Sequence, residues 1–473
     1  MSVRKGQLII YSILFAISII LPKYCSICLL LLIVLNFFFI VSKTSIEFSV
    51  LTTMLMGSEA FMIINAFVCL LGLLLIRRIS IKIYKKGIRK ENGLLVIIIV
   101  LNSLVNGIIN NTVINVIVYI GYLLFLWLCY CGFKGVLDIS KVFDSMRLII
   151  VMEFISTIIR VIMVRSVKPG DYFAGTINNA HFFGNWLALT MILITTMYKD
   201  CVHTYYSYAK YATLMGLCLI MLYLADAKGI ILSFFIALVL YFIVKILSKK
   251  NVLFWAIVGM YVLFAIVMYV FSIPYIKTYL QSKLPVYSVY LYTEGWNGRY
   301  QYSYGTLFDS LANIRALFGY GLGQYGSRIS NAFAYNIMWR NDSFINNLIV
   351  SIFSPHYVDN YSRYVSYYTQ DLVDQIAWRS AVLTYPFSSF LSLLSETGII
   401  GVLFFAKILN REFMKSKNKF MVIYFLAICI FDLYFDDFPC AIAIIIYLII
   451  GKQVVSVYSG LKNPVYNNRL AER

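Results

Sequence analysis

Apolar runs of 14 to 22 residues recur along this chain of 473 residues from one end to the other. A helix needs about 20 apolar residues to cross the ~30 Å hydrocarbon core of a bilayer, and the runs are of that order. Composition agrees, because 61% of the residues are hydrophobic and only 13% are charged. The pattern predicts an all-α, polytopic transmembrane helical bundle and not the several soluble domains that length alone suggests.

Thirteen apolar runs are predicted to be membrane spans, with approximate bounds 7–21, 24–42, 46–76, 93–109, 112–133, 148–164, 182–198, 211–224, 229–246, 252–273, 386–408, 419–433 and 438–450. The run 46–76 is long for one helix, and Gly57-Ser58-Glu59 divides it in a fourteen-span alternative. Fourteen spans put the N-terminus inside, and the sequence favours that count. The first run is interpreted as a retained span, since no small-residue cleavage site follows it.

The formal net charge is +19, but the basic residues lie in short clusters between the apolar runs. Such clusters mark cytoplasmic loops, and they place inside the loops 77–92, 247–251 and 410–418. The outer loops are then 165–181, 225–228, 274–385 and 434–437. This distribution is typical of membrane topology, so no nucleic-acid partner is expected.

Four regions follow from this topology. They are N-terminal transmembrane helices (1–273), an extracytoplasmic loop subdomain (274–385), C-terminal transmembrane helices (386–451) and a cytoplasmic tail (452–473). The loop subdomain has 112 residues, too long for a mere connector. Its stretches TLFDSLANIRALF and VDQIAWRSAVLTYPF carry apolar residues three and four apart, so we expect short amphipathic helices lying over the bundle. A separate interfacial helix is predicted at 134–147 on the cytoplasmic face.

The stretch GLGQYG (321–326) matches the G-x-G-x-x-G pattern of dinucleotide-binding proteins. That pattern needs a preceding buried strand and a following helix, whereas NIRALFGY here has a helical period. The match is interpreted as accidental, and no cofactor is expected. The glycines instead predict a tight turn that lets the backbone approach another surface closely. That turn is either a simple connection between two helices or a backbone cradle near a phosphate.

Charged residues inside apolar runs are costly, at roughly 2.5–3.5 kcal/mol each near a helix centre. Glu59, Glu153 and Arg160 are in this position, and the last two share one helix face. They either form structural cross-links or line a polar cavity that opens outward beside Arg165 and Lys168.

Several basic residues are predicted to face the outer leaflet. Lys228, in the turn Ala225-Asp226-Ala227-Lys228-Gly229, is either a solvated loop charge or one of several cations that meet Arg299 and Arg315. Converging Arg and Lys side chains match the oxygens of a diphosphate. Because the three histidines are scattered, no metal site is expected.

Four stretches occur in the order ADAKG (225–229), GWNGRYQYSYGTL (295–307), NIRALFGYGLGQYG (313–326) and SSFLSLLSETGIIGVLFF (388–405). In this order, and with the long outer loop, the chain resembles the O-antigen ligase/polymerase superfamily, and within it the Wzy-type polymerases of bacterial surface polysaccharides. The motif-level resemblance covers about 50 residues. It implies a GT-C-like membrane glycosyltransferase of the cytoplasmic membrane, with its active site facing outside.

The resemblance implies that a glycan on undecaprenyl diphosphate is transferred to a new lipid-linked repeat unit without a metal. A chain-length regulator and a flippase are then candidate partners, besides membrane lipid. Positions carried over from the family are Lys228, Arg299, Gly319, Gly321, Gly323, Glu396 and Gly398. Two carboxylates are alternative proton acceptors, Asp226 and Glu294. Further candidate substrate ligands are Arg160, Arg165 and Arg315. Candidates for stacking on sugars are Trp296 and Tyr300. The loop aromatics alternatively form an interfacial belt.

Ligases of the superfamily resemble HNxxLxxLxExG, with a histidine nine residues before the glutamate. Phe387 stands at that position here, which favours a polymerase over a ligase. A flippase for lipid-linked oligosaccharides is the alternative of another class, but short loops throughout are expected of it. A secondary transporter is disfavoured because the chain has no two similar halves.

Overall fold

The computed structural model describes residues 2–57, 59–76, 90–109, 113–134, 136–177, 179–201, 205–247, 311, 315–324, 388–409, 419–431 and 438–461. Within these residues the protein has fourteen α-helices, three short 3-10 helices and no strand. The all-α prediction is therefore confirmed for the described part of the chain.

The first seven helices are α1 (Ser2–Ile20), α2 (Cys25–Val41), α3 (Ile46–Leu51), α4 (Glu59–Leu75), α5 (Lys90–Ile109), α6 (Val113–Lys134) and α7 (Ile139–Val164). The other seven are α8 (Ala180–Cys201), α9 (Tyr205–Leu224), α10 (Lys228–Leu247), α11 (Arg315–Phe318), α12 (Ser389–Leu409), α13 (Lys419–Phe431) and α14 (Phe438–Leu461). Every predicted span overlaps one or two of these helices, except 252–273, which lies outside the described residues.

Two stretches of helix are long and apolar enough to cross a membrane, namely Val113–Lys134 and Ser389–Lys407. Their most apolar windows have mean hydropathy of 2.1 and 1.7. Shorter apolar helices of 10–17 residues account for much of the rest of the described chain. The described residues thus hold two candidate spans, and the bundle of thirteen or fourteen spans stays a prediction.

The run 46–76 is divided at Gly57, at the place that the sequence indicates. Its first part, α3 with the 3-10 helix Thr52–Leu55, extends about 17 Å, at 1.5 Å per α-helical residue and 2.0 Å per 3-10 residue. All the residues of this part are buried, including Glu47, Thr52 and Thr53. It is therefore a half-length segment enclosed by protein.

A buried polar network surrounds that half-length segment. The Asn36 Nδ2 on α2 donates to Asn65 Oδ1 on α4 at 2.9 Å, and Asn65 Nδ2 donates to Thr53 Oγ1 at 2.9 Å. The Tyr11 hydroxyl on α1 donates to Asn36 Oδ1. Because the amides have partners inside the protein, α1, α2, α4 and the half-length segment are held in one register.

The prediction of a separate interfacial helix at 134–147 is wrong. α7 begins at Ile139 and continues unbroken to Val164, since no glycine or proline interrupts it. Val142 and Met146 at its start are buried on the same core as the later turns of the helix. This long helix carries both Glu153 and Arg160.

The remaining helices pack around large buried side chains. α13 lies along α10, and α14 lies against α6 and α8. The Tyr424 hydroxyl on α13 donates to Asn185 Oδ1 on α8 at 2.9 Å, and Tyr447 on α14 lies 2.5 Å from Thr190 Oγ1 on α8. α12 packs against α5 and α11, and this group contains the glycine-rich turn.

Candidate functional site

The glycine-rich turn 319–324 lies inside the protein. All six of its residues are buried, and Gly319, Gly321 and Gly323 have φ of 71°, 105° and 73°, in the left-handed region that favours glycine. The turn contacts α5, α6 and α12. The turn therefore inserts between helices. The amphipathic helices expected at 306–318 and 373–387 lie mostly outside the described residues, and their place over the bundle stays a prediction.

The turn and α12 approach each other backbone to backbone. α12 breaks at Gly398, whose φ is 64° and ψ is −170°. A Cβ on Gly319 would lie 2.4–2.5 Å from the main chain of Glu396 and Thr397. A Cβ on Gly398 would lie 2.4 Å from the main chain of Leu317. The two glycines thus interlock, and the expected close approach of the glycine turn to another surface is confirmed.

Hydrogen bonds fasten the turn to the break in α12. The Tyr320 N–H donates to Ser395 O at 2.8 Å, and the Gly321 N–H donates to Glu396 O at 2.8 Å. The Gly323 N–H donates to the carboxylate of Glu396, at 2.9 Å from Oε2. Glu396 is 1% exposed. Its carboxylate therefore serves to anchor the turn.

Polar residues of α5 and α6 hold the opposite side of the turn. The Leu322 N–H donates to Ser103 Oγ at 3.0 Å, and Gln324 Nε2 donates to Ser103 O at 3.0 Å. Asn115 Nδ2 donates to Gly323 O at 3.3 Å. The sequence does not predict these roles of Ser103 and Asn115; the signal it offers is that a polar side chain in an apolar helix is costly unless it has a partner.

Every N–H of the turn has an acceptor in the protein. Besides the bonds above, the Gly319 N–H donates to Arg315 O at 2.6 Å, and the Gln324 N–H donates to Gly321 O at 3.2 Å. A phosphate cradle needs backbone N–H groups that point at the ligand. The structure therefore gives the turn a packing role in place of the cradle, and direct substrate contact by its glycines stays a prediction.

Arg315 lies at the entrance to this turn. Its guanidinium carbon is 4.3 Å from the centroid of the Tyr320 ring, within the range of a cation–π contact. The side chain is half-buried. The contact with Tyr320 holds the Arg315 guanidinium beside the entrance to the turn, and substrate contact by Arg315 stays a prediction.

Glu153 and Arg160 both bind the loop between α7 and α8. Glu153 is fully buried, and its carboxylate accepts the Thr176 N–H at 2.8 Å and the Thr176 hydroxyl at 2.5 Å. Arg160 Nε donates to Gly175 O at 2.7 Å. The Thr176 hydroxyl also lies 3.0 Å from Leu55 O, at the end of the half-length segment. Glu153 and Arg160 therefore act as structural cross-links between α7 and this loop, which is one of the two alternatives that the sequence offered. Substrate contact by Arg160 stays a prediction.

We expect Glu153→Ala to lower the free energy of unfolding by about 2–4 kcal/mol, because the buried Thr176 N–H loses its acceptor. Glu153→Gln is expected to cost less, since the amide oxygen still accepts one of the two bonds. Thermal unfolding of the purified protein in detergent measures both changes. The control is Asp144→Ala on the same helix, which removes an exposed carboxylate; equal losses in Glu153→Ala and this control would contradict the cross-link.

Two basic turns meet at one end of the molecule. The Gly170 N–H, in the loop after α7, donates to Leu224 O at the end of α9 at 3.0 Å. This bond joins the loop that carries exposed Arg165 to the turn 225–227, where Asp226 is half-buried with φ of 52°. Lys228 follows as the first residue of α10. The backbone positions of Arg165 and Lys228 therefore belong to the same end of the bundle.

The other predicted site residues fall outside the described residues: Glu294, Trp296, Arg299 and Tyr300. The approach of Arg299 to Lys228 therefore stays a prediction. In the described ranges, no group of three or more His, Cys, Asp or Glu side chains is arranged to hold a metal ion. What the structure brings together is the glycine-rich turn with Glu396, and the loop after α7 with the turn before α10.

Comparison with known proteins adds no family to these observations. No model of a known protein family matches the chain, and no curated protein matches it.

Proposed function

We propose that the chain is a multi-pass membrane glycosyltransferase that polymerises lipid-linked oligosaccharide repeat units. It acts at the outer face of the cytoplasmic membrane. The growing glycan moves from undecaprenyl diphosphate to the non-reducing end of a new lipid-linked unit. The resemblance to Wzy-type polymerases suggests this reaction, and two features of the described residues support it.

The first feature is the apolar surface of the helices. Leu75, Leu94, Ile109, Ile162 and Leu403 are each at least 60% exposed, and they belong to α4, α5, α7 and α12. Soluble monomers rarely expose apolar patches of more than a few hundred Å². Lipid contact explains why several helices expose large apolar side chains, which supports a multi-pass topology.

The second feature carries the proposal: two of the four motifs form one packed unit. The glycine-rich turn 319–324 interlocks with Glu396-Thr397-Gly398, although more than seventy residues separate them in the sequence. Arg299 precedes Gly319, the first residue of this turn, by only twenty residues. This packed unit anchors the outer segment to α12 a short distance in sequence after Arg299, and that anchoring supports the proposed site.

The reaction is a substitution at an anomeric carbon. A hydroxyl oxygen of the new unit bonds to that carbon while its bond to the lipid diphosphate breaks, and the electron pair stays on the diphosphate. The hydroxyl proton passes to Asp226 or Glu294. Because negative charge grows on the leaving group, fixed cations there lower the barrier.

Four basic residues are assigned to that leaving group in the proposal: Lys228, Arg299, Arg165 and Arg315. A guanidinium matches two phosphate oxygens at once, and an ammonium supplies a point charge. Trp296 and Tyr300 offer aromatic faces to the sugars. These cations take the role that a divalent ion has in other phosphate chemistry.

The reaction itself is tested with purified protein and lipid-diphosphate repeat units. We expect elongation to continue in excess chelator, because side chains carry the positive charge. Product lengths are read on a gel. The same repeat unit on a lipid monophosphate is the control, and it is expected not to be elongated because its leaving group is poorer. Strict dependence on a divalent ion would contradict the fixed cations, and absence of elongation with or without metal would contradict the polymerase.

A further inference from the structure

A groove between α1, α7 and α9 lies apart from the proposed site. Its volume is about 470 Å³, within the range of ligand pockets. The walls are mainly apolar, from Leu148, Val151 and Ile155 on α7 and from Leu214 and Leu217 on α9. The groove is open on one side, where Val151 and Ile155 are 42% and 51% exposed.

Two cations stand at one end of this groove. Arg147 lies on the first half of α7, and Lys210 lies on the first half of α9. From there the groove follows α7 to Ile155, about 12 Å further along the axis at 1.5 Å per residue. The groove therefore has one charged end and one apolar end.

Neither cation is neutralised within the described residues. No ion pair joins Arg147 or Lys210 to an acidic side chain in that part of the chain, whereas Lys141 pairs with Asp138 at 3.9 Å. Lys210 Nζ lies 5.3 Å from the centroid of the Phe143 ring, which holds it at the end of the groove. Two positive charges beside an apolar channel favour an amphiphile with an anionic head.

We propose that this groove binds one anionic phospholipid of the cytoplasmic leaflet, with its phosphate between Arg147 and Lys210. One acyl chain lies along Val151, Ile155 and Leu217. In the predicted topology, α7 and α9 begin on the cytoplasmic side, the side on which anionic lipids attract basic side chains. The inference rests on the multi-pass placement proposed above and not on the polymerase activity, so failure of the elongation assay leaves it standing.

The test measures lipid adducts on the full-length, detergent-purified chain by native mass spectrometry. The probes are dioleoylphosphatidylglycerol and dioleoylphosphatidylcholine. We expect at least about tenfold tighter binding of the anionic lipid. Arg147→Ala with Lys210→Ala is expected to lower its affinity about 25-fold, since each basic side chain near an anionic headgroup contributes roughly fivefold. Equal binding of the two lipids, or an unchanged affinity in the double variant, would overturn the proposal.

A matched control removes two exposed cations away from the groove, by Lys141→Ala with Lys407→Ala. Its affinity for the anionic lipid is expected to change less than twofold. If this control lost as much affinity for the anionic lipid as the groove variant, the attraction would be non-specific, and the proposed lipid site would be contradicted. Val151→Trp places a ring in the channel and is expected to weaken binding while both cations remain.

Two further probes separate a lipid from a simple anion on the unaltered protein. Dihexanoylphosphatidylglycerol has the same headgroup with short chains, and inorganic phosphate has no chain. We expect neither of them to displace the long-chain lipid at equal concentration. Displacement by either would overturn the acyl-chain channel and leave only an anion site. Because no variant is needed, a folding defect does not affect this result.

Discussion

Cells that carry Arg299→Ala are expected to display single repeat units in place of a ladder of chain lengths, while the protein stays in the membrane. In the proposed reaction the departing diphosphate gains negative charge in the transition state. Removing one preorganised donor from such a site costs about 10²–10³ in rate. That loss is large enough to end chain growth. Gel electrophoresis of the surface glycan, with an immunoblot of the membrane fraction, measures both outcomes.

Two companion variants make this result specific. Arg299→Lys keeps the charge but loses the planar fork, so we expect shortened chains and not complete loss. Arg363→Ala removes an arginine from the same outer segment, away from the four motifs, and is expected to leave the full ladder. A full ladder with Arg299→Ala would exclude this residue from the diphosphate clamp.

The helices were predictable from the sequence, because apolar runs of fixed length leave little choice of structure. Even the division of the run 46–76 follows from Gly57, which the structure finds at the end of the half-length segment. The first turns of α7 were not predicted correctly. Charged residues at 138–147 suggested an interfacial helix, but no helix breaker separates them from the apolar turns that follow.

The site was harder to predict, because its geometry depends on partners far away in sequence. The glycines of 319–324 indicated a close backbone approach, and the structure supplies the surface they approach, at Gly398. Nothing local indicated that Ser103 and Asn115 would be the polar partners on the other side. The seven-residue spacing correctly predicts that Glu153 and Arg160 share one face of a helix. The spacing does not predict the bond from Thr176 to Glu153, because that bond depends on how the loop after α7 folds back onto the helix.

Gly398→Ala is expected to lower the free energy of unfolding by about 3–5 kcal/mol. This figure adds the cost of a backbone conformation that only glycine adopts readily to the cost of steric overlap. The φ of 64° with ψ of −170° is strained for any L side chain. The added Cβ would also lie 2.4 Å from the main chain of Leu317, which cannot rotate away as a side chain does. The turn must then separate from α12 and lose its bonds to Ser395 and Glu396. Thermal unfolding in detergent measures the loss, and the glycan ladder is expected to shorten with it.

Gly121→Ala on α6 is the matched control, since a Cβ there meets no atom within 4 Å. Helix propensity predicts that this change is neutral or stabilises the protein by up to about 1 kcal/mol. The contrast between the two alanines isolates the interlock from any general effect of replacing a glycine in a helix. If both variants unfolded at the same temperature as the unaltered protein, the turn would not be packed tightly against the break in α12. The outer segment would then not be anchored at the break in α12, and the proposed function would lose the observation that carries it.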